Sequence, residues 1–195
     1  MHSPRQATGE ATITGADRRA RFDSEVLVHL EAAYRFARWL CRDVCDAEDV
    51  VQEAALRAFR SFDTTTVTDP RAWLLAIVRN CQLTAARRKQ AGPGSLAAAS
   101  DGEELLNAVP DPSPDPEERA AEGQTGRLLR RLLARLPGEL REVLVLRELE
   151  ELSYREIAAV TSIPMGTVMS RLFRARAALK VEWEQAIAQG HHDVP

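Results

Sequence analysis

Residues 153–180 read Ser-Tyr-Arg-Glu-Ile-Ala-Ala-Val-Thr-Ser-Ile-Pro-Met-Gly-Thr-Val-Met-Ser-Arg-Leu-Phe-Arg-Ala-Arg-Ala-Ala-Leu-Lys. Ser153 with Glu156 three residues later forms a capping box, which predicts the start of a short helix. The inward side of this helix is predicted to hold Ile157, Ala158 and Val160. A tight connection, Thr161 to Pro164, leads into a basic helix. This order is typical of a helix-turn-helix, whose second helix lies in the major groove of DNA.

The basic helix has two distinct sides. Its apolar spacing predicts a buried side made by Val168, Leu172, Ala175 and Leu179. The outward side is predicted to present Thr167, Ser170, Phe173 and Arg174, with Met169 and Arg171 on the flanks. Between Pro164 and Lys180 the charged residues are all basic: Arg171, Arg174, Arg176 and Lys180. Cations and hydroxyls suit phosphates and base edges; the alternative is a basic helix that closes a bundle or docks on an acidic partner.

The whole chain is predicted to be all-α, with two small helical domains joined by a flexible linker. Hydrophobic residues make up 45% of the 195 and aromatic residues only 5%, a mixture rich in helix formers. The predicted boundaries are a disordered N-terminal arm over 1–22, a first domain over 23–90, an acidic, Pro-rich linker over 91–126, a second domain over 127–185 and a tail over 186–195.

Helix signals in the first domain come from caps and apolar spacing. Asp46 is the predicted N-cap of a helix that buries Ala47, Val50, Val51, Ala54 and Ala58. The hydroxyl-rich segment from Ser61 to Thr68 is predicted to be a loop. Asp69 and Pro70 then start a further helix by cap and N1 proline. The three cysteines, Cys41, Cys45 and Cys81, lack metal-ligand spacing and are predicted to be buried thiols.

Charge is segregated along the chain, so the net charge of -3 conceals two opposite blocks. Residues 43–53 contain five acids and no base. Of these residues, Glu48, Asp49, Gln52 and Glu53 lie opposite the apolar side, and such a strip needs a basic protein partner unless it is merely a solvated face. Residues 79–90 contain only basic charges, and Asn80, Thr84 and Arg87 or Arg88 share one face that could hold DNA.

These segments resemble two regions of bacterial sigma factors. Region 4, the reader of the minus-35 promoter element, is similar to Leu136-Pro137, Arg141 to Leu144, Leu152 to Ala158 and Pro164 to Arg176. Region 2.2 is similar to Asp46 to Glu53, and regions 2.3 and 2.4 are similar to Ala72-Trp73-Leu74 through Arg79-Asn80 to Arg87-Arg88. The chain length leaves no room for region 1.1 or a folded region 3, which indicates the extracytoplasmic-function (ECF) group.

The resemblance implies three binding surfaces. Core RNA polymerase, through its beta-prime clamp helices, would be bound by Asp46, Glu48, Asp49, Gln52 and Glu53. The minus-10 element would be bound by Trp73, Arg79, Asn80, Thr84, Arg87 and Arg88, although a structural role as a core aromatic is favoured for Trp73. The minus-35 element would be bound by Thr167, Met169, Ser170, Arg171, Phe173, Arg174 and Arg176. Thr84 and Met169 depart from the residues that many relatives carry, so base preference is altered there.

The resemblance also implies further partners: the beta flap of the polymerase, promoter DNA and an anti-sigma factor. It implies neither a cofactor nor a metal, and we expect a cytoplasmic protein without a membrane-inserted segment. Two other functions are alternatives to that of a sigma factor. A stand-alone helix-turn-helix repressor or activator would leave the acidic strip without a purpose. An enzyme acting on nucleic acid would need converging carboxylates or histidines, yet His2, His29, His191 and His192 are scattered.

Overall fold

The computed structural model describes residues 15–41, 43–63, 67–91 and 124–188, and every regular element within them is helical. In chain order these are α1 (Gly15–Glu25), a short 3-10 helix (Leu27–His29), α2 (Leu30–Leu40), α3 (Val44–Ser61), α4 (Pro70–Ala91), α5 (Gln124–Arg135), α6 (Gly138–Glu148), α7 (Tyr154–Thr161) and α8 (Met165–Ala188). The prediction of an all-α fold is confirmed. Most of the predicted linker and the ends of the chain lie outside the described residues.

The first bundle is formed by α2, α3 and α4, which pack against one another. The predicted buried side of α3, from Ala47 to Ala58, is confirmed. Its predicted cap is wrong by one turn, because Asp43 is the N-cap and its side chain accepts a hydrogen bond of 2.7 Å from the amide of Asp46. At α4 the predicted start is confirmed, since Asp69 accepts from the amide of Ala72 at 3.0 Å and Pro70 is the first helical residue.

The structure places α1 where the sequence predicts the end of a disordered arm. Phe22 anchors this helix, being 4% exposed and in edge contact with the rings of Phe59 and Phe62 at 5.1 and 5.5 Å. Arg18 lies over the Phe59 ring with its guanidinium carbon 4.4 Å from the centroid. One aromatic residue on an otherwise polar helix gives too little apolar periodicity to be detected, so this element was missed.

The second bundle is formed by α5 to α8, of which α7 and α8 form the helix-turn-helix. The predicted capping box at α7 is confirmed, with Ser153 and Glu156 exchanging hydrogen bonds between side chain and backbone. Ser162 ends the helix in the left-handed region at φ 56°, which turns the chain into α8. Of the predicted inward residues, Val168, Leu172 and Ala175 are buried, while Leu179 is only partly buried. Helix α8 is therefore held against α6 and α7 by its apolar side.

The two bundles pack against each other, which the sequence does not predict. Helix α4 contacts α7, and α2 contacts α6. Buried residues of both bundles, Leu75 and Val78 as well as Leu146 and Ile157, belong to one hydrophobic cluster. Across the same junction, the guanidinium of Arg130 lies 5.5 Å from the ring centroid of Trp39. In this conformation one hydrophobic core spans both bundles, and Leu128, Leu132 and Ala186 form a smaller second cluster.

The cysteines do not all behave as predicted. Cys41 and Cys81 are buried, but Cys45 is exposed on the first turn of α3, so the prediction of three buried thiols is wrong for Cys45. Burial, together with Asp46, raises the pKa of the Cys41 thiol to about 12. Burial also raises the pKa of Cys81.

We therefore expect iodoacetamide to modify Cys45 in the folded protein at pH 8 at least about tenfold faster than Cys41 or Cys81, because the thiolate is the nucleophile and must be reached. Peptide mass spectrometry after timed quenching would measure the three rates. Labelling in denaturant provides the control, in which the three rates should converge. Fast labelling of Cys41 in the native protein would contradict the burial described here.

Candidate polymerase- and DNA-binding surfaces

The predicted acidic strip lies on the solvent side of α3. Glu48, Asp49 and Gln52 are exposed, while the side chain of Glu53 is 44% exposed. Arg57 donates to Glu53 across 2.6 Å, and this hydrogen bond lowers the pKa of the Glu53 carboxyl. The buried residues of α3, Ala47, Val50, Val51, Ala54 and Ala58, face the opposite way into the bundle. The strip is therefore charged and accessible, as a docking surface for a basic protein requires.

Asp46 differs from the rest of the predicted strip. Its side chain is 25% exposed and forms an ion pair with Lys89 at the end of α4. The hydrogen bond to Asp46 raises the pKa of Lys89. Asp46 thus ties α3 to α4, and its charge is already partly neutralised within the chain.

Leu56 is a surface residue that the sequence reasoning missed. It is 52% exposed and follows Gln52 by four residues and Glu53 by three, so it continues the same side of α3. An apolar side chain beside carboxylates is typical of a protein interface, where a charged rim surrounds an apolar contact. The spacing could have identified it, because Leu56 falls outside the buried pattern of the helix.

The predicted minus-10 residues of α4 form two groups: four reach solvent, and the other two, Trp73 and Arg79, pack inward. Asn80 and Arg88 are exposed, and Thr84 and Arg87 are partly exposed. Thr84 donates its hydroxyl hydrogen bond to the carbonyl of Asn80 at 2.8 Å, so this hydroxyl is directed along the helix. Trp73 is half-buried and packs against the hydrophobic core, as expected for a structural aromatic residue.

Arg79 does not join the exposed group. Its side chain is 11% exposed, and its Nε donates across 2.6 Å to Oε1 of Glu142, whose side chain is completely buried in α6. Burial raises the pKa of Glu142, and the neighbouring charge of Arg79 acts against that rise. A residue predicted to contact DNA is thus held by a carboxylate of the other bundle.

The predicted minus-35 residues lie mostly on the open side of α8. Phe173 is 76% exposed and Met169 is 49% exposed, with Ser170 and Arg174 also exposed and Thr167 partly so. Arg176 is 50% exposed and pairs with Glu148 at 2.7 Å. These residues form one continuous surface that begins at the N-terminus of α8, where a recognition helix presents its side chains to base edges.

Arg171 departs from its predicted position on the flank of α8. It is 5% exposed, and its Nη2 lies 3.0 Å from a carboxylate oxygen of Glu139. Burial lowers the pKa of Arg171, and the nearby cations Arg174 and Arg79 add to this effect. Arg79 and Arg171 are thus buried close to the junction of the bundles. Their contacts with DNA stay predictions that this conformation does not favour.

The described residues hold neither a candidate membrane span nor a cluster of metal ligands. No helix in those residues is both long enough and apolar enough to cross a membrane. Nor do they bring together three or more His, Cys, Asp or Glu side chains in a way that could hold a metal ion.

Comparison with known proteins assigns the chain to a family. Residues 26–92 match sigma-70 region 2, and residues 126–179 match sigma-70 region 4. Over 159 residues the chain is 35% identical to the ECF RNA polymerase sigma factor SigE of Mycolicibacterium smegmatis, an alignment that spans 82% of this chain and 60% of that protein. Over 138 residues it is 36% identical to the ECF RNA polymerase sigma-E factor of Escherichia coli, spanning 69% and 72%.

A solved structure supports the same assignment. The sigma factor RpoE from Bartonella quintana, in a co-crystal structure with the anti-sigma factor NepR, superposes with a TM-score of 0.64 and 25% identity over 84% of this chain and 96% of that one. The predicted resemblance is confirmed by sequence and by fold. The chain belongs to the ECF sigma factors of the sigma-70 family.

Proposed function

We propose that this protein binds core RNA polymerase and directs promoter-specific initiation of transcription. The observation that supports this most strongly is the presence on one chain of two unlike surfaces, the acidic strip of α3 and the hydroxyl- and arginine-bearing side of α8. A negative surface repels DNA and attracts a basic protein, whereas the second surface has the chemistry of major-groove recognition. A subunit that links an enzyme to DNA needs both.

The acidic strip would be the polymerase-binding surface. Asp49, Gln52 and Glu53 reach solvent from one side of a helix whose other side is fixed in the core, so binding requires little rearrangement. The basic beta-prime clamp helices are the partner that the family resemblance implies, with Leu56 supplying an apolar contact within the strip. Asp46 contributes less, because Lys89 already occupies it.

The two DNA elements would be read by different helices. Asn80, Thr84, Arg87 and Arg88 on α4 would bind the minus-10 element, and the outward residues of α8 from Thr167 to Arg176 would bind the minus-35 element. The loop predicted from Ser61 to Thr68 begins one residue later than expected, since Ser61 is the last residue of α3. Residues 64–66 of that loop lie outside the described part of the chain.

An anti-sigma factor is a further proposed partner, since the Bartonella relative is crystallised with one. We also infer a cytoplasmic location, where polymerase and chromosome meet. A role without enzymatic activity is consistent with a family of transcription initiation factors. The stand-alone repressor is disfavoured, because it uses α8 and leaves the acidic strip of α3 without a partner.

Reconstitution tests the proposal. We expect the purified protein to form a one-to-one complex with sigma-free core polymerase on gel filtration, and the complex to initiate at defined sites on genomic fragments. The polymerase alone and the protein alone are the controls. Tight, specific duplex binding by the protein alone, without complex formation, would favour the repressor instead.

A further inference from the structure

The junction between the two bundles contains one buried ion pair and one cluster of two ion pairs that share a carboxylate. In the first, Arg79 of α4 is bound to Glu142 of α6. In the second, Arg35 of α2 and Arg71 of α4 converge on Glu150, which follows α6. Arg35 donates from two nitrogens to the two carboxylate oxygens at 3.3 and 3.1 Å, and Arg71 donates at 2.6 Å. Each pair joins residues far apart in sequence and in different bundles.

Both carboxylates are removed from water. The side chains of Glu142 and Glu150 have 0% exposure, so each depends on its arginines for charge compensation. If the bundles separated, Glu142 and Glu150 would regain water and Arg79 would be released. If the bundles stayed together without the arginines, the carboxylates would be buried and uncompensated, which is strongly unfavourable. The bundles can therefore stay in contact only while these ion pairs are formed.

Such pairs also permit opening. The cost of removing charges from water nearly cancels the attraction within a buried ion pair, so these contacts specify the geometry more than they stabilise it. Opening must also separate the apolar residues that the two bundles bury against each other, so a partner has to supply that free energy as well. A partner that binds only the separated form can then shift the equilibrium toward it.

Arg79 connects this junction to DNA binding, a step that rests on the proposed function. It belongs to the residues predicted to bind the minus-10 element, yet its guanidinium is occupied by Glu142. Arg171, of the predicted minus-35 set, is buried close enough to feel the charge of Arg79. The contact between the bundles thus occupies Arg79, whereas Arg171 is held by Glu139 within the second bundle and would stay there on opening.

We propose that the polymerase-free protein is held closed by its own carboxylates, with Glu142 and Glu150 of the second bundle occupying Arg79, Arg35 and Arg71 of the first, and that opening of these pairs releases Arg79 for DNA. Glu142 takes the place of a nucleic-acid phosphate on Arg79. The device lies within the chain and needs no second protein.

The test uses the full-length protein with the two changes Glu142→Gln and Glu150→Gln, which keep the shape of the side chains and remove their charges. We expect the radius of gyration from small-angle X-ray scattering to increase, and the affinity for a fluorescein-labelled, random-sequence single-stranded oligonucleotide to rise about tenfold by anisotropy. The matched control is Glu25→Gln with Glu182→Gln, which also removes two charges, from carboxylates that pair with Arg21 and Arg135 away from the junction, and it should alter neither quantity.

A second variant guards against misfolding of the first. Arg35→Gln with Arg71→Gln breaks the Glu150 cluster from the side that is partly exposed, since these arginine side chains are 47% and 29% exposed. It should expand the protein in the same way, with helix content preserved by circular dichroism. An unchanged radius of gyration in both well-folded variants would overturn the proposal. Expansion with unchanged DNA affinity would overturn the release of Arg79, while complex formation with core polymerase reports separately on the proposed function.

Discussion

The double substitution Asp49→Arg with Glu53→Arg should abolish binding to core RNA polymerase and leave the helix content unchanged. Asp49 is exposed and Glu53 is half-exposed on the solvent side of α3, so neither change disturbs the buried apolar side. Two positive charges would face a basic partner, and like charges at an interface cost several kcal/mol. We expect the affinity for core polymerase to fall about 100-fold or more, measured by fluorescence titration.

The control for this charge reversal is Asp23→Arg with Glu25→Arg on α1. It changes the net charge by the same amount, and it removes a similar intrahelical pair, since Glu25 pairs with Arg21 as Glu53 pairs with Arg57. This control should keep nearly full affinity. Retained binding by the α3 variant would remove the acidic strip from the mechanism, and an equal loss in both variants would show that net charge alone is responsible.

The parts of the fold that could be predicted from sequence depend on local interactions. The buried side of α3 and the inward side of α8 follow from apolar residues at helical spacing, which needs no knowledge of the rest of the chain. The capping box at Ser153 was predicted because both partners lie within one turn. The cap of α3 was misplaced because two acids, Asp43 and Asp46, stand one turn apart, and only the extended backbone of Asp43 identifies it as the cap.

The candidate surfaces were predicted where a helix has one free side. Glu48, Asp49 and Gln52 are exposed because the opposite side of α3 fills the core. Arg79 was predicted from the family resemblance and Arg171 from the flank of α8, but their burial depends on Glu142 and Glu139 in α6. Those carboxylates are distant in sequence, and charged residues are ordinarily expected at the surface. Sequence periodicity carries no information about such tertiary partners.

The closed arrangement links the two proposed surfaces energetically. The acidic strip of α3 stays exposed when the bundles are in contact, whereas Arg79 is occupied. Polymerase could therefore dock on the strip first and then favour the separated form, in which Arg79 reaches DNA. By linkage, any variant that weakens the junction should also favour complex formation with a partner that needs the open form.

On α8, the substitution Arg174→Ala should weaken binding of the holoenzyme to its promoter if Arg174 reads a base edge. The expected loss is about 1 to 3 kcal/mol, or about five- to 150-fold in affinity. Arg174 is exposed beside Phe173, so its removal leaves the packing of the helix-turn-helix intact. Quantitative footprinting on matched and minus-35-mutated promoters measures both affinity and base preference.

Lys180→Ala is the control, since Lys180 is an exposed cation of the same helix. It should lower affinity less and leave base preference unchanged, because a phosphate contact is insensitive to sequence. An unchanged footprint for Arg174→Ala would assign base reading to another side of α8.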